Sequence, residues 1–201
     1  MSERVDPRLR ARNLRTLALL AGLFLVPLAL AFCTYYGSSW RPGGRVNHGA
    51  LIVPPRPLPA LALPEVLPAS GTAAGPPFRG RWTLVYVGPG ECGEDCRQAL
   101  FVMRSARLAL NKDMDRVAQV LLVNGDCCAR AQLSAYPGVR VLDAEQAAGR
   151  QLLALFPQQD QAHTLYLVDP LGNLMMSYDA RRNSRGLLED LEKLLRLSHI
   201  G

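Results

Sequence analysis

Hydrophobic and polar positions divide the chain into three unequal parts. An apolar run covers residues 17–36, residues 37–77 are crowded with proline, and only residues 78–201 mix apolar and charged positions as a folded domain does. The third part holds about 124 residues, a usual size for one domain. The pattern therefore predicts a single folded domain behind an N-terminal appendage.

The apolar run predicts a membrane anchor. No charged side chain occurs in residues 16–36, and a helix of about 20 apolar residues spans a bilayer. Five arginines stand in residues 1–15, and basic residues collect on the cytoplasmic side of membrane helices. We therefore expect residues 1–15 to be a cytoplasmic N-terminus and residues 16–36 to be a transmembrane helix. Everything that follows is then expected on the far side of the membrane.

A cleaved signal peptide is the alternative for this segment, because Ala29-Leu30-Ala31 has the small-x-small form that the peptidase accepts. The segment also approaches a lipoprotein site, but Phe32 is bulky where a small residue is expected. Cys33 is accordingly interpreted as a membrane residue. The net charge of +6 owes much to the arginines before the apolar run, so it signals topology and gives no indication of nucleic-acid binding.

The segment 37–77 is interpreted as a linker. Nine of the 15 prolines fall between Pro42 and Pro77, and proline suits neither continuous helix nor a central strand. At about 3.1 Å per residue, such a tether would hold the domain up to roughly 100 Å from the membrane. His48 is the one residue of this segment for which a further role is considered.

Residues 78–201 alternate short β-rich runs with helical spacing. The predicted elements are a strand at 81–87, a helix at 96–111, a strand at 117–123, a helix around 143–156, a hairpin of 163–169 with 174–178, and a helix at 184–197. This order, a βαβ unit followed by a ββα unit, is that of the thioredoxin fold. The predicted fold class is therefore α/β, thioredoxin-like.

This fold order brings the reactive side chains to one edge of the sheet. The first two strands end at that edge and the third begins there, so Cys92, Cys96 and His163 are expected together, with Cys127 and Cys128 nearby. Cys92 and Cys96 stand four positions apart at a loop-to-helix junction, where the helix dipole favours the thiolate. A structural disulfide is the alternative, since the expected compartment is oxidising.

Two thiolates and one imidazole form a ligand set suited to copper, because sulfur favours Cu(I) and nitrogen helps to hold Cu(II). His163 is predicted to act as a ligand or in proton transfer, the alternative being a structural histidine. For Cys127 and Cys128 a resolving thiol, a second metal contact and an ordinary loop pair remain open. Glu94 and Asp95 are interpreted as helix N-terminal charges.

The chain resembles the Sco/SenC group, membrane-anchored thioredoxin-like proteins that deliver copper or reducing equivalents to cytochrome c oxidase. The similarity covers about residues 78–180 and rests on three features: the run from Phe78 to Val87, the Cys92-x-x-x-Cys96 spacing, and the run from Ala162 to Gly172. It implies copper ligation by these two cysteines and His163. The whole chain also resembles short bacterial membrane proteins associated with cytochrome oxidase assembly.

The resemblance implies a bacterial inner-membrane protein with a periplasmic domain, whose partner is a cytochrome oxidase subunit or an assembly factor. The chain departs from the Sco pattern beside its cysteines, where Gly93 and Arg97 replace the usual proline. Three hypotheses therefore stand: an oxidase assembly factor that binds copper or keeps copper-site thiols reduced, a thiol-disulfide oxidoreductase, and a non-catalytic interaction domain. As an oxidoreductase, Cys92 would attack, Cys96 would resolve and His163 would assist proton transfer.

Overall fold

The N-terminal part of the chain is one long helix. The structure is a computed structural model that describes residues 7–37, 47–67, 75–125, 136–198 and 200. It divides into two compact units, Met1–Arg45 and Val46–Gly201. In the first unit, helix α1 (Pro7–Gly37) contains a stretch, Arg10–Tyr36, that is long and apolar enough to cross a membrane by length and composition. The prediction of one apolar anchor helix is confirmed at that level.

The second unit is built on a seven-stranded mixed sheet with the order β1-β7-β6-β3-β4-β5-β2. The strands are β1 (Ala50–Pro57), β2 (Glu65–Leu67), β3 (Trp82–Gly88), β4 (Val117–Val123), β5 (Val139–Asp143), β6 (Thr164–Val168) and β7 (Asn173–Asp179). Its helices are α2 (Glu94–Ala109), α3 (Ala147–Leu153) and α4 (Ser184–Leu197), with 3₁₀ turns at Asn111–Arg116 and Gln161–His163. Strands β3, β4 and β5 are parallel, whereas β6 and β7 run antiparallel to their neighbours.

The two central strands are covered on both faces. Every residue of β3 and β4 is buried, and their sequences are apolar except for Thr83 and Gln119. Helices α2 and α4 cover one face, where Leu100 and Leu191 are fully buried. On the other face α3 packs with Leu58 and Phe156. This three-layer arrangement confirms the predicted α/β, thioredoxin-like fold class.

Most of the elements predicted for residues 78–201 are present, but the prediction for the region before and including the middle helix is wrong. The last helix has the predicted bounds, and the hairpin forms β6 and β7. The helix expected around 143–156 is shorter, and a strand that was not predicted, β5, precedes it. At five residues β5 is too short for its alternation to stand out, and its pairing with β4 stabilises it.

The proline-rich segment differs from the expected tether. Residues 50–57 form β1 on β7 at one edge of the sheet, and residues 65–67 form β2 on β5 at the other. Proline tolerates an edge, where an N–H can be lost on the solvent side, and the β1 ladder shifts register between Leu51 and Arg56. The burial of Leu58 fixes the segment further. The described part of this segment, residues 47–67, therefore belongs to the domain.

Candidate thiol site

Cys92 and Cys96 lie where the chain passes from β3 into α2. The intervening loop ends at Gly93, whose extended backbone precedes the first helical residue, Glu94. The two cysteines form a disulfide with their Cα atoms 5.1 Å apart, and both are buried. The spacing of four thus places both sulfurs at the N-terminus of α2, as predicted.

The loop is held by its own backbone and by Arg97. The Gly93 N–H donates to the Glu91 carbonyl at 2.9 Å, and the Arg97 N–H donates to the Gly93 carbonyl at 3.0 Å. The Arg97 guanidinium also reaches back to the Cys92 carbonyl at 3.4 Å. Arg97 therefore stabilises the position of the first cysteine by hydrogen bonding.

His163 reaches the same edge of the sheet from the other side. It closes the 3₁₀ turn before β6, and its carbonyl accepts the Ala180 N–H at 2.8 Å. Its imidazole Nδ1 lies 2.9 Å from Oδ1 of Asp95, which lies in the first turn of α2 between the two cysteines. This contact is not a hydrogen bond, and Nδ1 has no hydrogen-bond partner in the described structure.

Tyr86 stabilises the turn that carries His163. Its hydroxyl donates to the Ala162 carbonyl at 3.0 Å, directly before His163. Burial, followed by the negative charge of Asp95, raises the pKa of Tyr86 to about 12. The phenol therefore stays a hydrogen-bond donor at any physiological pH, and it fixes the turn that carries His163.

The structure places the three predicted site residues at one edge of the sheet. Cys92 and Cys96 are bonded, and His163 contacts their loop through Asp95. Cys127 and Cys128 lie outside the described residues. Among the residues described, no group of three or more His, Cys, Asp or Glu side chains is arranged to hold a metal.

The donor set fits copper only after reduction. Sulfurs shared in a disulfide have no thiolate to offer, whereas two thiolates and one imidazole are ligands that copper accepts. Sequence reasoning missed the partner of Asp95 and the role of Tyr86. The signal for Asp95 was its position directly before Cys96, but a contact with a residue 68 positions later needs the fold.

A cavity of about 600 Å³ opens beside His163. Its walls include Thr164, Arg181 and Asn183, together with His48 from the proline-rich segment. His163 therefore lines this cavity as well as contacting Asp95.

These features define a class: a thioredoxin-fold protein with a disulfide-bonded cysteine pair at the start of its first domain helix and a histidine on the adjoining turn. Residues 82–198 match the family model for the transmembrane-like, thioredoxin-like C-terminal domain. The match covers more than half of the chain, so the chain belongs to this family. No curated protein matches the chain significantly.

Solved structures share the fold at low sequence identity. Apo Sco1 from Thermus thermophilus has a TM-score of 0.53 and 19% identity, over 75% of this chain and 99% of that one. Yeast Sco1 with copper bound has a TM-score of 0.52 and 14% identity, over 60% and 82%. A Neisseria meningitidis protein described as a thioredoxin has a TM-score of 0.51 and 16% identity, over 71% and 91%. The likeness establishes the thioredoxin-like fold.

Proposed function

We propose that this protein is an assembly factor for cytochrome c oxidase. Helix α1 anchors it in the bacterial inner membrane with its N-terminus in the cytoplasm, and the domain lies in the periplasm. There it binds copper through reduced Cys92, Cys96 and His163, or keeps the thiols of a copper site reduced. Its partner is an oxidase subunit or another assembly factor.

The observation that carries this proposal is the convergence of the cysteine loop and His163. Two sulfurs at a helix N-terminus and an imidazole on the adjoining turn supply the soft and borderline donors that copper prefers. The yeast Sco1 structure of similar fold has copper bound. The apolar helix Arg10–Tyr36 supports confinement to a membrane.

Copper binding requires prior reduction of the disulfide. An external dithiol supplies two electrons and two protons, and Cys92 and Cys96 become thiols while the dithiol becomes a disulfide. Both thiols must then lose their protons to act as ligands. The positive end of the α2 dipole favours these thiolates.

The disulfide itself favours a second candidate, a thiol-disulfide oxidoreductase. In the reduced protein the Cys92 thiolate would attack a partner disulfide and release one partner thiolate, forming a mixed disulfide. The Cys96 thiolate would then displace the second partner thiolate. The partner leaves as a dithiol, and this chain regains the Cys92–Cys96 bond.

Complementation tests the proposal. A bacterium deleted for this protein receives the wild-type chain, Cys92→Ser, Cys96→Ser or His163→Ala, and oxidase activity and copper per haem are measured in its membranes. Cys33→Ser is the matched control, because Cys33 lies in α1. We expect the wild type and the control to restore both quantities and the three site variants to fail.

The same experiment separates the candidates. Failure of both cysteine variants with full restoration by His163→Ala supports the oxidoreductase, in which the thiols alone are indispensable. Full restoration by all three site variants contradicts both candidates and leaves the disulfide as a structural crosslink.

A further inference from the structure

His48 and Gly49 fasten the chain to helix α4 directly before β1 begins. Their two backbone N–H groups donate to the same oxygen, Oδ2 of Asp190, at 2.8 and 2.9 Å. The His48 ring places Nδ1 3.2 Å from the other oxygen, Oδ1. Asp190 is 4% exposed, so a buried carboxylate holds this part of the chain.

The neighbouring side chains fix the positions of His48 and Gly49. The Tyr178 hydroxyl donates to Asp190 Oδ2 at 3.0 Å, and a Cβ on Gly49 would lie 2.5 Å from the Tyr178 ring. The side-chain amide of Asn183 donates to the His48 carbonyl at 2.9 Å. The residues before β1 are therefore built into the fold, and we call this set, His48, Gly49, Tyr178, Asn183 and Asp190 together with Glu189, the clasp.

The buried members of the clasp keep constant charge near neutral pH. Burial alone would raise the pKa of Asp190, but the N–H groups of Gly49 and His48, with the His48 ring and the Tyr178 hydroxyl, outweigh it and lower that pKa. Burial and the adjacent Asp190 raise the pKa of Tyr178. Asp190 is therefore ionised and Tyr178 is neutral. His48 is then the member of the clasp whose charge can change.

Both nitrogens of the His48 ring face carboxylates. Nδ1 lies 3.2 Å from Asp190, and Nε2 lies 3.2 Å from Oε2 of Glu189. A neutral imidazole has one N–H, whereas the protonated ring has two. The protonated ring carries a positive charge that attracts both carboxylates, whereas a neutral ring leaves one lone pair facing a negative oxygen.

Other charged side chains also lie around the His48 ring. On α4, Arg185 binds the second oxygen of Glu189 at 2.9 Å, and Glu192, Lys193 and Arg196 line the hollow beside His48. On the opposite side, Arg181 and Arg182 line the cavity that His48 shares with His163. In the described structure the two ring nitrogens themselves lie against Asp190 and Glu189.

We propose that protonation of His48 controls how firmly the clasp holds β1, the strand formed by the proline-rich segment. Protonated His48 ties the start of β1 to α4, and loss of that proton loosens the strand from its N-terminal end. The ring is half exposed, so protons exchange with solvent readily. Beyond the clasp the pairing of β1 with β7 is interrupted, because the ladder shifts register between Leu51 and Arg56.

Loosening changes where the fixed part of the domain begins. Nine residues, 38–46, separate helix α1 from Asn47. Opening of residues 47–57 would add 11 residues to that connection. Loss of the His48 proton therefore increases the fraction of chains in which this segment is open.

Hydrogen–deuterium exchange of the full chain in detergent micelles tests this inference at about pH 5.5 and about pH 8. Rates are divided by the intrinsic exchange rate at each pH to give protection factors. We expect the protection of residues 48–53 to fall about two- to fivefold at the higher pH, the size of a weak ion pair. Protection of β3 should stay constant.

Two variants identify the cause. His48→Gln should give equal protection at both pH values, at the level of the wild type at high pH. Glu189→Gln should show a smaller pH dependence than the wild type, because it removes one of the two carboxylates that attract the protonated ring while Asp190 remains. Glu192→Gln, on the same helix and beside the same hollow, is the matched control and should behave as the wild type. If wild-type protection is the same at both pH values, or if Glu189→Gln retains the full pH dependence of the wild type, the inference is overturned, even where His48→Gln fails to fold.

Discussion

The Oδ1 atom of Asp95 lies 2.9 Å from the Nδ1 atom of His163, and this contact joins the first turn of α2, between the two cysteines, to the turn before β6. Cys96 directly follows Asp95, so the contact couples the position of the imidazole to the disulfide. Carboxylates beside one ring nitrogen commonly orient a histidine whose other nitrogen binds a metal or moves a proton.

Asp95→Asn should therefore weaken the site without unfolding the domain. Removal of the carboxylate takes the negative charge away from the imidazole Nδ1, and loss of an orienting group of this kind typically lowers metal affinity about 10- to 100-fold. The measurement is competitive titration of the reduced protein with a Cu(I) chelator of known affinity.

Glu94→Gln is the matched control, because Glu94 has the same charge and also lies in the first turn of α2. Its copper affinity should stay close to that of the wild type. Equal losses in both variants would show that Asp95 acts through general charge alone and has no specific relationship with His163.

Two buried tyrosines should ionise only at strongly alkaline pH. Burial and then Asp95 raise the pKa of Tyr86 to about 12, and burial raises that of Tyr166 to about 12 against hydrogen bonds from Gln161 and Thr164. Because the folded-state values exceed the ordinary value of 10.0, their contribution to stability is complete below pH 10 and is lost as the pH rises through about 12.

Phenolate absorbance during an alkaline titration measures this directly. We expect two phenolates to appear only as the protein approaches about pH 12, with Tyr86→Phe and Tyr166→Phe each removing part of that late step. A single ionisation step near about pH 10 for all tyrosines would contradict the prediction.

Asp190→Asn should destabilise the domain. Hydrogen bonds to a charged acceptor contribute about 1.5–3 kcal/mol, and this carboxylate accepts several, so we expect a loss of about 2–3 kcal/mol in urea denaturation at neutral pH. Its pKa is lowered from 3.8, so the stabilisation is present above about pH 4 and is lost as the pH falls further.

Asp115→Asn is the control for that measurement. Asp115 has an ion pair with Arg107, but its side chain is 82% exposed, and such pairs are worth little. Its variant should unfold at nearly the wild-type urea concentration. An equally small effect of Asp190→Asn would show that the buried carboxylate does not hold the clasp.

Gly49→Ala should show that the start of the proline-rich segment belongs to the fold. The new methyl group would overlap the Tyr178 ring, and such overpacking costs about 1–3 kcal/mol. Gly75→Ala is the control, because nothing lies within 4 Å of a Cβ at that position. Thermal unfolding should separate the two, and identical midpoints would indicate that residues before β1 are not packed.

Sequence patterns predicted the elements that carry strong local signals. The apolar run of β4 and the 3.6-residue period of α4 are readable without tertiary information, and both elements have the expected bounds. Strand β1 was missed because its prolines argue against a strand, although pairing with β7 and burial of Leu58 outweigh that preference.

The candidate site was predictable in its members but only partly in its contacts. The spacing of Cys92 and Cys96 fixes their proximity, and fold order places His163 at the same edge. The contact of His163 with Asp95 and that of His48 with Asp190 join residues far apart in sequence, so no local pattern could indicate them.

The most direct test of the proposed copper function is copper stoichiometry on the reduced full chain in detergent under anaerobic conditions, beside Cys92→Ser and His163→Ala. We predict about one copper per wild-type chain, which is lost in both variants, because the two thiolates and the imidazole are needed together. Copper at background level in the wild type, with a Cys92–Cys96 disulfide that reduces and re-forms, would contradict copper binding and favour the oxidoreductase.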